Sequence, residues 1–337
     1  MHLELVVPAL LGSAAQDSAR QGGAQVVEHL PALEMLLARG RRNRREAADF
    51  ESWLSFVFNI DKTPLPAGAL SALGLGVDPG DRFWLRADPV HLRADRDRLL
   101  LFPSQGFAFS DAEAEQLGGA LLRHFSDRFS LKVLRADVWV LCTDGEAELH
   151  SKPPIELAGQ NVDPNLPEKR WHALLNEMQM AMYQHPVNTE REAHGEPAVN
   201  SVWLWGGGRL PAPTRSSWQS VSGEDPVALG LARLAGVPSG PTTGAREWLA
   251  QAPEDGRHLV VLDALRAPRA LGDDAAFARG LRALEERWFA PLLDSLRSER
   301  IGMVSVHVPE PGLSFETIRG DLRRFWRRPR RIAAYAT

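Results

Sequence analysis

Short apolar runs alternating with stretches of helical periodicity predict an α/β fold, a three-layer core with a mostly parallel sheet and helices on both faces, plus an inserted smaller α+β domain. Two observations carry this reading. Strand-like runs at Leu3–Leu11, Ser201–Trp205, Leu259–Leu262 and Met303–Val308 are separated by helical segments, the pattern of parallel βαβ units. The texture then breaks from Lys62 to Gly80, where Pro64, Pro66, Gly68, Gly74, Gly76, Pro79 and Gly80 mark a domain crossing. At 337 residues the chain exceeds one compact core. These features place the core at residues 1–63 and 196–337 and the inserted domain at 64–195.

In order along the chain, Leu3–Leu11 reads as a buried strand ending at Gly12. Val27, Leu30, Leu33, Leu36 and Leu37 fall at helical spacing over 26–38, with Gly40 as a stop, and a second helix is predicted over 46–58. Inside the insert, strands are expected at 81–88 and 99–102. Ser110 followed by Glu113 has capping-box spacing and opens a helix toward Phe125. A hairpin covers 131–133 and 138–142, with Asp144-Gly145 as a turn, and a helix buries Trp171, Leu174, Leu175, Met178 and Met182. Beyond the strand 201–205 come helices at 227–234 and 275–296 around the strands 259–262 and 303–308. The N-terminal strand is expected to share a sheet with Ser201–Trp205 and Leu259–Leu262.

Composition excludes several classes. Hydrophobic residues make up 44% and charged residues 24%, the balance of a folded globular chain. A net charge of −4 gives no global attraction to nucleic acid or anionic lipid. The single cysteine, Cys142, excludes an intramolecular disulfide framework or thiolate cage. With no apolar run near the ~18 residues a membrane span requires and no signal-peptide pattern, a cytoplasmic address is expected.

Three stretches carry a family resemblance. Pro66–Leu92 looks like the entry to the inserted domain of archaeal-type cofactor-independent phosphoglycerate mutases of the alkaline phosphatase superfamily. His185-Pro186-Val187-Asn188, followed by Arg191, Gly195, Pro197-Ala198 and Asn200, resembles the motif that leads back to that family's core. Leu30-Pro31-Ala32-Leu33 with Ala38 and Gly40 is similar to the helix after the superfamily's first strand. Proteobacterial RpfE-type regulatory proteins are the nearest likeness. The resemblance implies an alkaline-phosphatase-like fold, two divalent cations (Mn or Mg) on Asp and His ligands, and a Ser that takes and returns the phosphoryl group. Here the first strand ends Val6-Val7-Pro8-Ala9, with no carboxylate where the family has Asp-Gly. Ser52, in Asp49-Phe50-Glu51-Ser52-Trp53, stands near the nucleophile's place without the preceding glycine. Asp263 and His307 are the remnants of the later ligand sets.

The expectation is therefore a degenerate mutase-like protein, without a cofactor, acting as a regulatory protein that binds a small phosphorylated metabolite or a protein partner. Its expected ligand contacts are His185, Asn188, Arg191, Asn200 and Arg209, with Arg191 and Arg209 gripping an anion where insert meets core. Equally open is a reading in which His185, Asn188, Arg191 and Asn200 form a hinge network that satisfies backbone groups. The rival function is a working phosphotransferase using Asp17, Asp49, Asp263 or His307. Gly206-Gly207-Gly208-Arg209 admits an anion-binding nest or, more commonly, a turn. The scattered histidines show no ligand spacing. Two arginine clusters, Arg39–Arg45 and Arg323–Arg331, the second interleaved with Phe325 and Trp326, read as solvated faces, and the negative total disfavours nucleic acid.

Overall fold

The computed structural model describes residues 1–12, 28–61, 64–96, 98–144, 151–162, 169–253 and 255–336. Val26, Val27, Asp17, Lys62 and Gly145, each invoked above, lie outside them. The described strands are β1 (His2–Val6), β2 (Arg41–Arg44), β3 (Phe83–Asp95), β4 (Arg98–Pro103), β5 (Ser130–Arg135), β6 (Val138–Thr143), β7 (Ser201–Gly208), β8 (Ser220–Ser222), β9 (Ser239–Gly240), β10 (Arg257–Val261), β11 (Met303–Val308) and β12 (Leu313–Ile318). The chain separates into two compact units, Met1–Asn59 with Thr214–Thr337, and Ile60–Pro213.

The first unit is built on a seven-stranded sheet in the order β2-β12-β11-β1-β10-β8-β9. β1 lies parallel to β10 and β11, and β10 parallel to β8, while β12 and β2 add an antiparallel edge. Strand alternation splits β1 into two faces. Leu3 and Leu5 enter the main core with Val260, Val304 and Val306, while His2 and Glu4 take the other face. The helix Pro31–Arg39 packs Leu33, Leu36 and Leu37 into that core. Leu30, its N-cap residue, has no side-chain oxygen to offer, and Glu285 substitutes: its carboxylate accepts from the Ala32 and Leu33 N–H groups at 2.6 and 3.1 Å. Glu285 stands at the start of the π-turn Glu285–Phe289, between the helices Asp274–Leu284 and Ala290–Arg297, so the expected single helix over 275–296 carries a bulge.

The second unit holds an antiparallel sheet, β4-β3-β6-β5 with β7 on the other side of β3. β7 therefore belongs here and not beside β1, which corrects the expected sheet. The second unit extends to Pro213 rather than ending at residue 195. Long-range pairing with β3 decided this, since an apolar strand does not encode its partner. The glycines of β7 are packing residues. A Cβ on Gly206 would meet Ala67 Cβ at 2.5 Å, and one on Gly207 would meet Leu85 Cδ2 at 2.6 Å. Gly206 lets the helix Ala67–Gly74 lie close on β7, and Gly68 lets it lie close on β3, since its Cβ would fall 2.5 Å from the Leu85 backbone, while Gly207 makes room for the Leu85 and Phe83 side chains. The nest reading of the glycine run is replaced by this contact. The capping box at Ser110 and Glu113 is formed as expected, starting the helix Asp111–Phe125.

Below that interface, Arg86 is buried and donates through Nε to Asp88 Oδ1 at 2.8 Å, and Trp205 Nε1–H donates to Asp88 Oδ2 at 2.7 Å. Gly68→Ala is expected to destabilise the protein by about 1–3 kcal/mol through overpacking. Gly80→Ala, where nothing lies within 4 Å, should respond only to its φ of +54°. Urea unfolding of the two variants separates packing from backbone strain; equal midpoints would refute the close-packing role of Gly68.

Candidate functional site

Parallel strands bring the loops after their carboxyl ends to one edge of the sheet, where α/β proteins place their chemistry. Four loops of the first unit meet this condition. β1 runs into Pro8-Ala9, β8 into Asp225, β10 into Asp263 and Arg266, and β11 into Pro309-Glu310. Ala9 has φ +63°, a left-handed conformation that alanine adopts only under constraint, and its N–H donates to Glu310 Oε1 at 3.0 Å. The helix Phe50–Val57 contributes Glu51 from its first turn.

Arg266 ties these loops together. Its Nη2 lies 2.9 Å from Glu51 Oε1, and its guanidinium stacks over the Phe50 ring at 4.6 Å. Burial works against the guanidinium charge but is outweighed by Glu51, Asp225 and Asp263, so its affinity for the proton rises further. The carboxylates respond to the same crowding. Burial, reinforced by repulsion from Asp263, lifts Asp225 to about 6 against the pull of Arg266. Burial also raises Glu310. Asp225 caps the helix Pro226–Leu234, its Oδ1 accepting from Ala228 N–H at 2.8 Å. The second oxygens of Glu51 and Glu310 are buried without a hydrogen-bond partner.

A second cluster crosses β1, β10 and β11. Glu4 accepts from Arg257 Nε and Nη2 at 2.9 and 2.7 Å and sits 2.9 Å from His307 Nε2. Burial alone would raise Glu4; the bond and charge of His307, with Arg257, outweigh it and hold the carboxylate below its ordinary range. The His307 ring also lies 5.5 Å from Trp53.

The expected site residues distribute as follows. Asp263 stands in the Arg266 cluster, while His307 is engaged by Glu4, so the two remnants do not join as one ligand pair. Asp49 is the N-cap of the helix Phe50–Val57, its carboxylate accepting from the Ser52 N–H at 2.6 Å. Ser52 is thus a first-turn residue beside Glu51, held by a cap rather than by a strained turn. In the second unit, His185 caps the helix Pro186–Ala193, accepting from Val187 N–H at 3.3 Å. Buried Asn188 donates to the Met182 and Val199 carbonyls and accepts from Val199 N–H, all within 2.9 Å. Asn200 pairs with both backbone groups of Leu92. Arg191, 2% exposed, donates through Nε to Pro197 O, through Nη1 to Glu113 and through Nη2 to Ala108 O, against the Phe107 and Phe109 rings. Arg209 donates to the Asp81 carbonyl. Of the two readings the sequence allows for this constellation, these contacts are those of side chains that satisfy backbone groups, with the Arg191 donors engaged by two carbonyls and Glu113. Arg266, Asp225 and Glu310 went unnoticed, because single charged residues after short strands carry no motif.

Among the described residues, no group of three or more His, Cys, Asp or Glu side chains is arranged to hold a metal ion. The donor chemistry agrees: a guanidinium already occupies the acidic cluster as its cation, and a divalent ion there would meet like charge. A divalent ion bound by the carboxylates around Arg266 would have to displace that guanidinium or share the site with it.

No family model matches the chain. Its curated relatives are 2,3-bisphosphoglycerate-independent phosphoglycerate mutases at low identity. A probable enzyme of Geobacter sulfurreducens is 27% identical over 230 residues, 63% of this chain and 56% of that protein. One from Methanosarcina acetivorans is 26% identical over 217 residues, 56% of this chain and 54% of that one. The matches thus span about half the length of these relatives. Among solved structures, the PH0037 protein from Pyrococcus horikoshii superposes with a TM-score of 0.55 at 14% identity, covering 94% of this chain and 87% of that one, a likeness of fold. No helix is long and apolar enough to cross a membrane among the described residues.

The elevated Asp225 gives a signed pH dependence. Its native value of about 6 lies above the ordinary 3.8, so the folded state binds this proton more tightly than the unfolded state. The stabilisation is full below about 3.8 and is lost as pH rises through 6. Asp225→Asn, which keeps the cap acceptor, should flatten urea-unfolding stability across this window; parallel wild-type and variant profiles would refute the assignment. Arg266→Met should destabilise by about 3 kcal/mol at pH 7, because it strands the carboxylates without their cation.

Proposed function

We propose that this chain is a degenerate phosphoglycerate-mutase-like protein that acts by binding rather than by metal-dependent phosphoryl transfer. It works as a cytoplasmic regulator of the RpfE type, with a small phosphorylated metabolite or a protein as its partner. The observation that carries the reading is Arg266 among Glu51, Asp225 and Asp263. Two-metal phosphoryl chemistry needs divalent cations, coordinated by carboxylates, that bind phosphoryl oxygens and activate the nucleophile. A guanidinium supplies fixed charge, binds carboxylates bidentately, and cannot lower the pKa of a bound hydroxyl as a metal does. Supporting it, β1 runs into Val7-Pro8-Ala9, which offers no side-chain carboxylate.

One observation favours the rival, an active metal-dependent phosphotransferase or mutase with divergent ligands. The partnerless Glu51 Oε2 and Glu310 Oε2 are the kind of buried oxygen a cation would satisfy. Elemental analysis of the purified protein, run beside a mutase assay with and without manganese, separates the two. The expected result is less than one tightly held divalent ion per chain and no manganese-stimulated turnover. Two retained ions, or activity lost on chelation and restored by manganese, would establish the enzyme instead.

A further inference from the structure

The two arginine clusters that the sequence sets nearly 300 residues apart are joined in the fold. β2 forms the end of the seven-stranded sheet, and the segment after β12 folds back against the turn that precedes it. Arg324 Nη1 donates to Arg39 O at 3.2 Å, Arg327 Nη1 donates to Gly40 O at 2.9 Å, and Arg39 Nη1 donates to Leu322 O. Residues 39–46 and 316–331 contain twelve arginines, three acidic residues and no lysine. Their charge of +9, in a chain whose total is −4, leaves −13 on the remainder. Four of these arginines have acidic partners, Arg41 with Glu316, Arg324 with Asp321, Arg319 with Glu299 and Arg331 with Glu34. Arg44, Arg323, Arg328 and Arg330 are exposed. Between them, Phe325 and Trp326 are 77% and 66% exposed and meet edge to face at 5.3 Å.

We propose that this face binds single-stranded nucleic acid. The negative total argued against such a partner only while the charge was averaged over the chain; here it is segregated onto one sheet edge. Arginine, unlike lysine, grips phosphate with a planar fork and stacks on flat rings. Two large aromatics left in water are what successive unpaired bases stack upon. An acidic protein partner would use the charge but would have less use for both rings, and a paired duplex hides its base faces.

The test is fluorescence anisotropy of a labelled 20-nucleotide mixed-sequence single strand with the full-length protein between 50 and 200 mM salt. Binding should weaken with salt at a log–log slope of about −0.7 per phosphate contacted. Trp326→Ala should lose roughly 5- to 100-fold in affinity, the range of base–aromatic stacking, with the slope unchanged. Arg328→Glu with Arg330→Glu should reduce the slope. Phe325→Ala repeats the stacking test should the tryptophan variant misfold by circular dichroism. No binding at 50 mM salt overturns the proposal. So does full affinity in both aromatic variants, or equal competition by a blunt duplex, polyglutamate or anionic lipid vesicles.

Discussion

A guanidinium set among carboxylates at the carboxyl edge of a parallel sheet is the constraint on which the first unit turns. Arg266 meets Glu51 directly and feels Asp225 and Asp263, and these residues come from three different loops. Removing charge from water is expensive, and the expense is offset only if the counter-charges are held in place. That requirement explains features which look unrelated. Asp225 is immobilised as a helix cap, Glu51 stands in the first turn of a capped helix, and Ala9 keeps a left-handed backbone that aims its N–H at Glu310. Burial of the carboxyl groups raises their proton affinity, with carboxylate repulsion adding to it: Asp225 and Glu310 are both pushed up.

The parallel strands and the main helices were legible because each carries its own periodicity. Ser110 and Glu113 form the expected capping box, and the strands near 259–262 and 303–308 pair with β1. What escaped was decided by distant partners. Arg41-Arg42-Asn43-Arg44 has no apolar residue and becomes strand only because β12 pairs with it. The π-turn at Glu285 exists where that carboxylate reaches the helix Pro31–Arg39, more than 250 residues away. β7 has the look of a core strand, yet Gly206 fits the helix Ala67–Gly74, Gly207 fits the Leu85 and Phe83 side chains of β3, and its tryptophans fit Asp88 and the Lys152 carbonyl.

The candidate site was legible mainly by subtraction. Pro8 and Ala9 carry no carboxylate where the family resemblance implies one, and that difference is plain in the sequence. The Arg266 cluster could not be read, because an arginine after a strand is ordinary and gains meaning only when carboxylates from distant segments converge on it. The polar constellation from His185 to Asn200 shows the opposite error. Its residues are distinctive in sequence because the chain's backbone there demands them: Asn188 alone satisfies three backbone groups, and Arg191 two carbonyls and a carboxylate. Distinctiveness measured structural demand as much as chemistry.

The two arginine arrangements differ in the local balance of charge and in exposure to water. Arg266 and Arg191 have carboxylates at 2.9 and 2.6 Å and are shielded from solvent, so their charge is consumed in holding the fold. Along β2 and the segment after β12, arginines outnumber acids four to one and the intervening aromatics bury little. Exposed like charges repel and lower stability, so a fold that concentrates them at a sheet edge accepts a cost that a solvated face would avoid by dispersing them. The same cluster also guards the sheet, since an edge strand lined with cations resists pairing with another chain. Edge protection accounts for the arginines of β2 but leaves Phe325 and Trp326 without a role, and it is these two rings that make the face a surface for recognition rather than only for repulsion.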